Sequence, residues 1–178
     1  MQIDKSSRHQ KIIGDLGENL VCNWLSRSGF EVSIVDHTGV DIVAYHPQSK
    51  RRFGVTVKSR TRITRLESSP VNLFSYQKGN NDRQKLINAC EAFACEPWIA
   101  IYIEASMFAE LYLTSLKNYD KKFRGKEGKK LEDWKMTDHY RKMYEADPDV
   151  LHIRFNFDFH KWNWGCKIKG KPETTGIK

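Results

Sequence analysis

The sequence has no apolar run of the roughly 18 residues or more that a membrane-spanning helix needs. Its opening, MQIDKSSRHQ, is polar and lacks the apolar core of a secretory signal. A cytoplasmic protein with no membrane partner is therefore expected. Cysteine is sparse: Cys22, Cys90, Cys95 and Cys166 contain no C-x-x-C pair, which argues against a zinc knuckle. Cys22 and Cys90 fall on apolar helix faces and read as buried thiols, since free cysteine packs as a small apolar residue. Internal repeats are absent. Acid is in short supply, with 22 Asp and Glu against 30 Lys and Arg, giving a net charge of +8. Such an excess attracts polyanions, of which nucleic acid is the commonest in cytoplasm. Charge alone does not separate that reading from a generally basic surface.

What is present is an ordinary globular composition, 39% apolar and 29% charged. The length of 178 residues favours one domain with an elaboration, and is enough to bury a core without disulfide or metal staples. Residues 9 to 28 place Ile12, Ile13, Leu16, Leu20, Trp24 and Leu25 at helical spacing, and Gly29 ends the helix. FEVSIV (30–35), VDIVAY (40–45) and FGVTVKS (53–59) read as three strands, the last two hairpin-like across a polar turn. Residues 60 to 80 read as a loop with a short strand near Val71 to Phe74. Asn81 or Asp82 caps a second helix bearing Leu86, Ile87, Cys90, Phe93 and Ala94 on one face. WIAIYIE (98–104) is apolar on both faces, as a central strand is, and ELYLTSL (110–116) is a further strand.

From Lys117 the composition turns basic and glycine-containing, which predicts a mobile loop over 117–130. A helix is expected over 131–146. In VLHIRFNFDFHKW the residues Ile153, Phe155, Phe157 and Phe159 alternate with polar ones, as in a half-buried strand. The last dozen residues read as a frayed tail. The element order indicates an α/β or α+β fold with a mixed sheet flanked by helices. The expected organisation is a core over 1–116, a basic loop over 117–130 and a C-terminal α+β extension over 131–178 packing on the core.

Three residues have the chemistry for metal-assisted phosphodiester cleavage. That chemistry needs carboxylates to hold a hard cation, and a protein cation to orient water or stabilise charge. Asp41 opens the second strand. Lys58 lies on the third, sharing a face with Thr56, because strand residues two apart point the same way. Glu18 sits near the rim of the first helix's apolar stripe, beside Cys22, where it can reach the sheet edge. Gly14 and Gly17 precede it and allow close backbone approach. Each residue taken singly has a plainer reading: a solvated helix acid, a turn acid, an edge-strand lysine that blocks aggregation. His37 reads as a loop residue.

GDLGENLVCNWLSRSGFEV, GVDIVAY and FGVTVKSR together resemble the PD-(D/E)XK nuclease superfamily, in particular archaeal Holliday-junction resolvases and Mrr-like restriction endonuclease domains. The resemblance covers roughly residues 9 to 60, and more loosely, by element order, extends to 116. It implies a restriction-endonuclease-like fold. It also implies catalytic roles for Glu18, Asp41 and Lys58, and Mg²⁺ or Mn²⁺ held by Glu18, Asp41 and the backbone carbonyl of Val57. The family's middle acid is Thr56 here, a poor ligand for a hard cation, so metal binding is expected to be weak unless another carboxylate such as Glu67 or Glu91 compensates. Three readings remain open: a Mg²⁺-dependent deoxyribonuclease of repair, recombination or defence; a catalytically impaired DNA-binding or protein-interaction module; and a relic site. Many family members dimerise, so a homodimer is among the expected assemblies.

The basic residues Arg60, Arg62 and Arg65 follow the motif directly, and Lys121, Lys122 and Arg124 form a second cluster. Both sets are candidates for phosphate contacts, or for charge that keeps a loop solvated. Trp162 and Trp164 can stack on bases or pack against the core or a partner subunit.

Overall fold

A computed structural model describes residues 5–76, 81–125 and 131–157. The chain opens with helix α1 (His9–Arg27), followed by strands β1 (Glu31–His37), β2 (Val40–His46), β3 (Arg51–Thr61) and β4 (Val71–Ser75). Helix α2 (Asp82–Ala92), strands β5 (Glu96–Glu104) and β6 (Phe108–Ser115) and helix α3 (Leu116–Lys122) come next. Strand β7 (Leu131–Trp134), helix α4 (Asp138–Ala146) and strand β8 (Val150–Asn156) complete the described chain. Among the described residues one sheet has the order β1-β2-β3-β5-β6-β8, and β4 pairs with β7 in a small second sheet. β3 and β5 are parallel, and the other neighbours in the large sheet are antiparallel. This is the α/β class with a mixed central sheet flanked by helices that the sequence indicates.

α1 buries Ile13, Gly17, Val21 and Leu25, a stripe at four-residue spacing. Ile12 and Leu16, expected on the apolar face, are instead exposed. Their place on the stripe is precluded by how closely Gly17 approaches the sheet: a Cβ there would lie 2.2 Å from Ser59 Oγ and 3.3 Å from Tyr102 Cβ. Gly29, at φ +86°, ends the helix, and the Phe30 N–H donates back to the Leu25 carbonyl at 3.1 Å. α2 starts at Asn81, whose side chain accepts the Gln84 N–H at 2.9 Å. β5 is buried from Ile99 to Ile103, as a strand covered on both faces must be.

The two faces of the sheet carry separate cores. α1 lies over one with Ile42, Ala44, Phe53, Val55, Ala100 and Tyr102. On the other, α2, α3, α4 and the small sheet enclose Val40, Leu73, Phe74, Leu86, Ile101 and an aromatic group around Trp134. That group corrects two expectations. Residues 117–122 are not loop but helix α3, whose Leu116, Tyr119 and Phe123 are buried despite the surrounding lysines. Residues 131–134 are not helical but strand β7, because Trp134 is fully buried, stacked on Tyr144 at 3.9 Å, and its strand pairs with β4. The helix expected over 131–146 is confined to α4. The strand expected from Val150 onwards is β8, which adds to the large sheet rather than to a separate layer. The expectations for 126–130 and for the tail, including Phe159, Trp162, Trp164 and Cys166, lie outside the described residues.

Candidate active site

Alternation along β3 decides which side chains can meet. Val55 belongs to the α1 core, whereas a Cβ on Gly54 would strike Cys90 Sγ of α2 at 2.6 Å. Thr56 and Lys58, two and four residues beyond Gly54, therefore face the α2 side. On β2, Ile42 pairs with Val55, so Asp41 lies opposite Thr56. The turn that delivers Asp41 requires glycine. Gly39 has φ +99°, and a Cβ there would lie 2.5 Å from the Lys85 carbonyl carbon, so the turn's backbone sits directly on α2.

Asp41 is held firmly. Its Oδ2 accepts the Val57 N–H at 2.6 Å and the Thr56 hydroxyl at 3.1 Å. It opens onto a pocket of about 130 Å³ lined by Thr38, Gly39, Asp41, Thr56, Lys58, Phe74, Asp82 and Lys85. The structure thus brings Asp41, Thr56 and Lys58 together and adds a second carboxylate, Asp82, from the first turn of α2. Asp82 Oδ2 accepts the Ser75 N–H at 3.2 Å, and Oδ1 lies 3.6 Å from Lys85 Nζ. The pocket is therefore small, hard-oxygen lined, and carries two acids with two lysines.

Glu18 is not among the lining residues. It is half-buried on α1, which packs against the opposite face of the sheet, and its charge together with burial raises the Cys22 thiol pKa, burial being the larger cause. Val57 gives its N–H to Asp41, while its side chain packs with the α1 core. The acids considered as replacements for the one missing at Thr56 lie elsewhere. Glu67 is bonded to Arg62 and to the Ile63 N–H, and Glu91 is exposed near the far end of α2. Asp82 is the pocket residue the sequence reading passes over. The available signal was the Asn81-Asp82 pair: only one residue can be the N-cap, which leaves the other's side chain for a different task. Among the described residues no three His, Cys, Asp or Glu side chains converge as a metal-binding group.

The basic residues divide. Arg62 is buried and committed to its own loop, donating to Glu67 at 2.7 Å and to the Ser69 carbonyl at 2.6 Å. Lys122 pairs with Asp147 at 2.6 Å and Asp149 at 3.2 Å. Arg124 pairs with the buried Glu132 at 3.0 Å. These three serve the fold. Arg60, Arg65 and Lys121 are exposed, and Lys121 borders a groove with Lys117, Arg83 and Asp120 between α2 and α3.

Solved structures to which the chain is similar include the following two. One is Hjc, a Holliday junction resolvase from the archaeal hyperthermophile Archaeoglobus fulgidus, 15% identical, covering 73% of this chain and 88% of its own, with a TM-score of 0.49. The other is the bacterial homing endonuclease I-Ssp6803I, 13% identical, covering 72% of this chain and 78% of its own, with a TM-score of 0.41. No protein-family model matches the chain, and no curated protein matches it significantly. At these identities and scores the likenesses carry no residue role or activity over to this chain. No helix of the described residues is long and apolar enough to cross a membrane.

Proposed function

We propose that the Asp41 pocket is a divalent-cation site for the hydrolysis of DNA phosphodiester bonds in repair, recombination or defence. The observation that supports this reading most is the Asp41 carboxylate, oriented by Thr56 and Val57 beside Lys58 and a second acid, Asp82. The donor set fits Mg²⁺ or Mn²⁺, which are commonly held by one or two carboxylates, with water and substrate phosphate completing the shell. Asp41 and Asp82 would hold the ion. When bound, such an ion polarises the phosphate and makes water acidic enough to attack. Lys58 supplies the fixed positive charge that orients the attacking water or offsets charge gathering on the phosphate oxygens. Asp41 needs little reorganisation, since two donors already hold one of its oxygens. Arg60 and Arg65 provide phosphate contacts outside the pocket.

The test is cleavage of supercoiled, linear and single-stranded DNA with Mg²⁺ or Mn²⁺. Wild type should cut at least one form, and Asp41→Asn and Lys58→Ala should each abolish cutting. A protein that cuts nothing, or variants that cut normally, would sink the reading.

A second reading, DNA binding without turnover, is favoured by the neutral hydroxyl of Thr56 where a third acid would serve, and by the lack of a three-acid cluster among the described residues. It requires binding that weakens steeply with salt and no cleavage under any metal.

A further inference from the structure

The loop between β3 and β4, residues 62–70, is braced from several sides. Arg62 holds Glu67 and the Ser69 carbonyl from a buried position. The second oxygen of Glu67 accepts the Ile63 N–H at 3.2 Å, and Arg141 of α4 donates to the Arg65 carbonyl at 3.0 Å. Yet this fixed loop displays large aliphatic side chains to water: Ile63 is 69% and Leu66 80% exposed. The adjacent β5–β6 turn adds Met107, 50% exposed. Turn and loop are joined by the Arg62 N–H bond to the Glu104 carbonyl at 2.7 Å, and by the Arg65 guanidinium over the Phe108 ring at 5.5 Å. Single exposed apolar residues are unremarkable, but a braced group of them marks a contact surface.

Charge says what the surface contacts. Arg60 and Arg65 are exposed beside the tips, and Lys5, bonded to the Thr61 carbonyl at 3.0 Å, lies at the same end of β3. The loop's own acid, Glu67, is neutralised by Arg62. The loop also flanks the pocket described above. It leaves β3 a few residues after Lys58 and returns into β4, whose Phe74 lines that pocket.

We infer that this loop is a wedge for duplex DNA: Ile63 and Leu66 enter between base pairs next to the bond to be cut, while Arg60 and Arg65 hold the flanking phosphates. The inference rests on the reading of the Asp41 pocket as a DNA-cleaving site. It also names the substrate class. Unstacking a base step costs less where pairing is already broken, so mismatched duplex is bound in preference to perfect duplex.

The experiment uses the full chain without divalent metal and a duplex carrying 2-aminopurine, whose fluorescence rises on unstacking. Wild type should bind with a fluorescence rise. The double variant Ile63→Ser, Leu66→Ser should lose the rise and bind about tenfold more weakly, with an unchanged melting temperature. Binding by wild type without a rise, or a double variant that matches wild type, overturns the wedge. So does a self-association of the protein that the double variant loses while DNA binding persists, since that would assign the tips to a second copy of the chain. Cutting with Mg²⁺ in the absence of unstacking removes the wedge and spares the site. Unstacking without cutting by any metal supports the wedge and removes the site's assigned activity.

Discussion

The Thr56 hydroxyl donates to the Asp41 carboxylate at 3.1 Å, on the same oxygen that takes the Val57 N–H at 2.6 Å. Both donors belong to β3, so the strand that offers Lys58 to the pocket also sets the orientation of Asp41. Thr56 is, in the fold, a hydroxyl donor that helps to orient Asp41.

Thr56→Glu tests that role. Thr56 is 5% exposed, so a second carboxylate there, beside Asp41, repels it in the metal-free protein. The melting temperature without metal should fall, and Mn²⁺ affinity measured by calorimetry should rise by about tenfold, on the order of 1.4 kcal/mol. Thr56→Val keeps the shape and deletes the donor, at a cost of about 1 kcal/mol, with no gain in affinity. Equal metal affinity for both variants would show that this position does not face the ion.

Gly39→Ala should detach the two acids from each other. The new methyl group meets the Lys85 backbone at 2.5 Å, and the backbone conformation is strained for any other residue. Stability should drop by roughly 1–3 kcal/mol in urea unfolding. Metal affinity should fall as well, because α2 carries Asp82. Gly14→Ala, with open space at its Cβ inside α1, is the contrasting control and should raise stability by about 0.5–1 kcal/mol while leaving metal affinity unchanged.

Glu110 is the deepest charge in the described fold, 1% exposed on β6 and ringed by Arg141, His152, Arg154 and the Tyr112 hydroxyl. Burial pushes its carboxyl up, but His152 3.7 Å away, the Arg141 charge and the Tyr112 hydrogen bond outweigh it and hold it down at about 2, against an ordinary value of 4.5. A folded pKa below the unfolded one means stability that is complete above about pH 4.5 and lost as pH falls towards 2. The contribution is roughly 3 kcal/mol at neutral pH. Glu110→Gln should flatten the acid limb of the stability curve and, by leaving Arg141 without its counter-charge, lower stability at pH 7 by about 3–5 kcal/mol. An acid limb unchanged in the variant would move the effect to other carboxylates.

Lys58 and Arg62 lie close together on the chain but should behave oppositely. Lys58→Ala should leave the urea midpoint almost unchanged while removing cleavage. Arg62→Ala removes a buried guanidinium that serves half-buried Glu67 and two loop carbonyls, and should cost about 2–3 kcal/mol. If both variants lose stability alike, Lys58 is a structural residue.

Much of the fold was legible in local patterns. The helical character of α1, Gly29 at its end, the three strands that follow, the Asn81 cap and the two-faced burial of β5 are all set by neighbours in sequence. The failures came where a distant partner decides. Residues 131–134 have no strand signal stronger than their helical one, and only pairing with β4 and the burial of Trp134 make them a strand. α3 is hidden by its lysines, because its apolar face is just Leu116, Tyr119 and Phe123.

The candidate site divides in the same way. The sequence by itself determined that Thr56 and Lys58 share a face and that a glycine turn delivers Asp41, since strand alternation and turn chemistry are local. Tertiary structure alone decided which acid stands beside Asp41. α1 and α2 cover opposite faces of the sheet, and the pocket lies on the α2 face. That assigns the pocket to Asp82 and leaves Glu18 on the other side. Strand period fixes which side chains point together, but not which helix will lie over them.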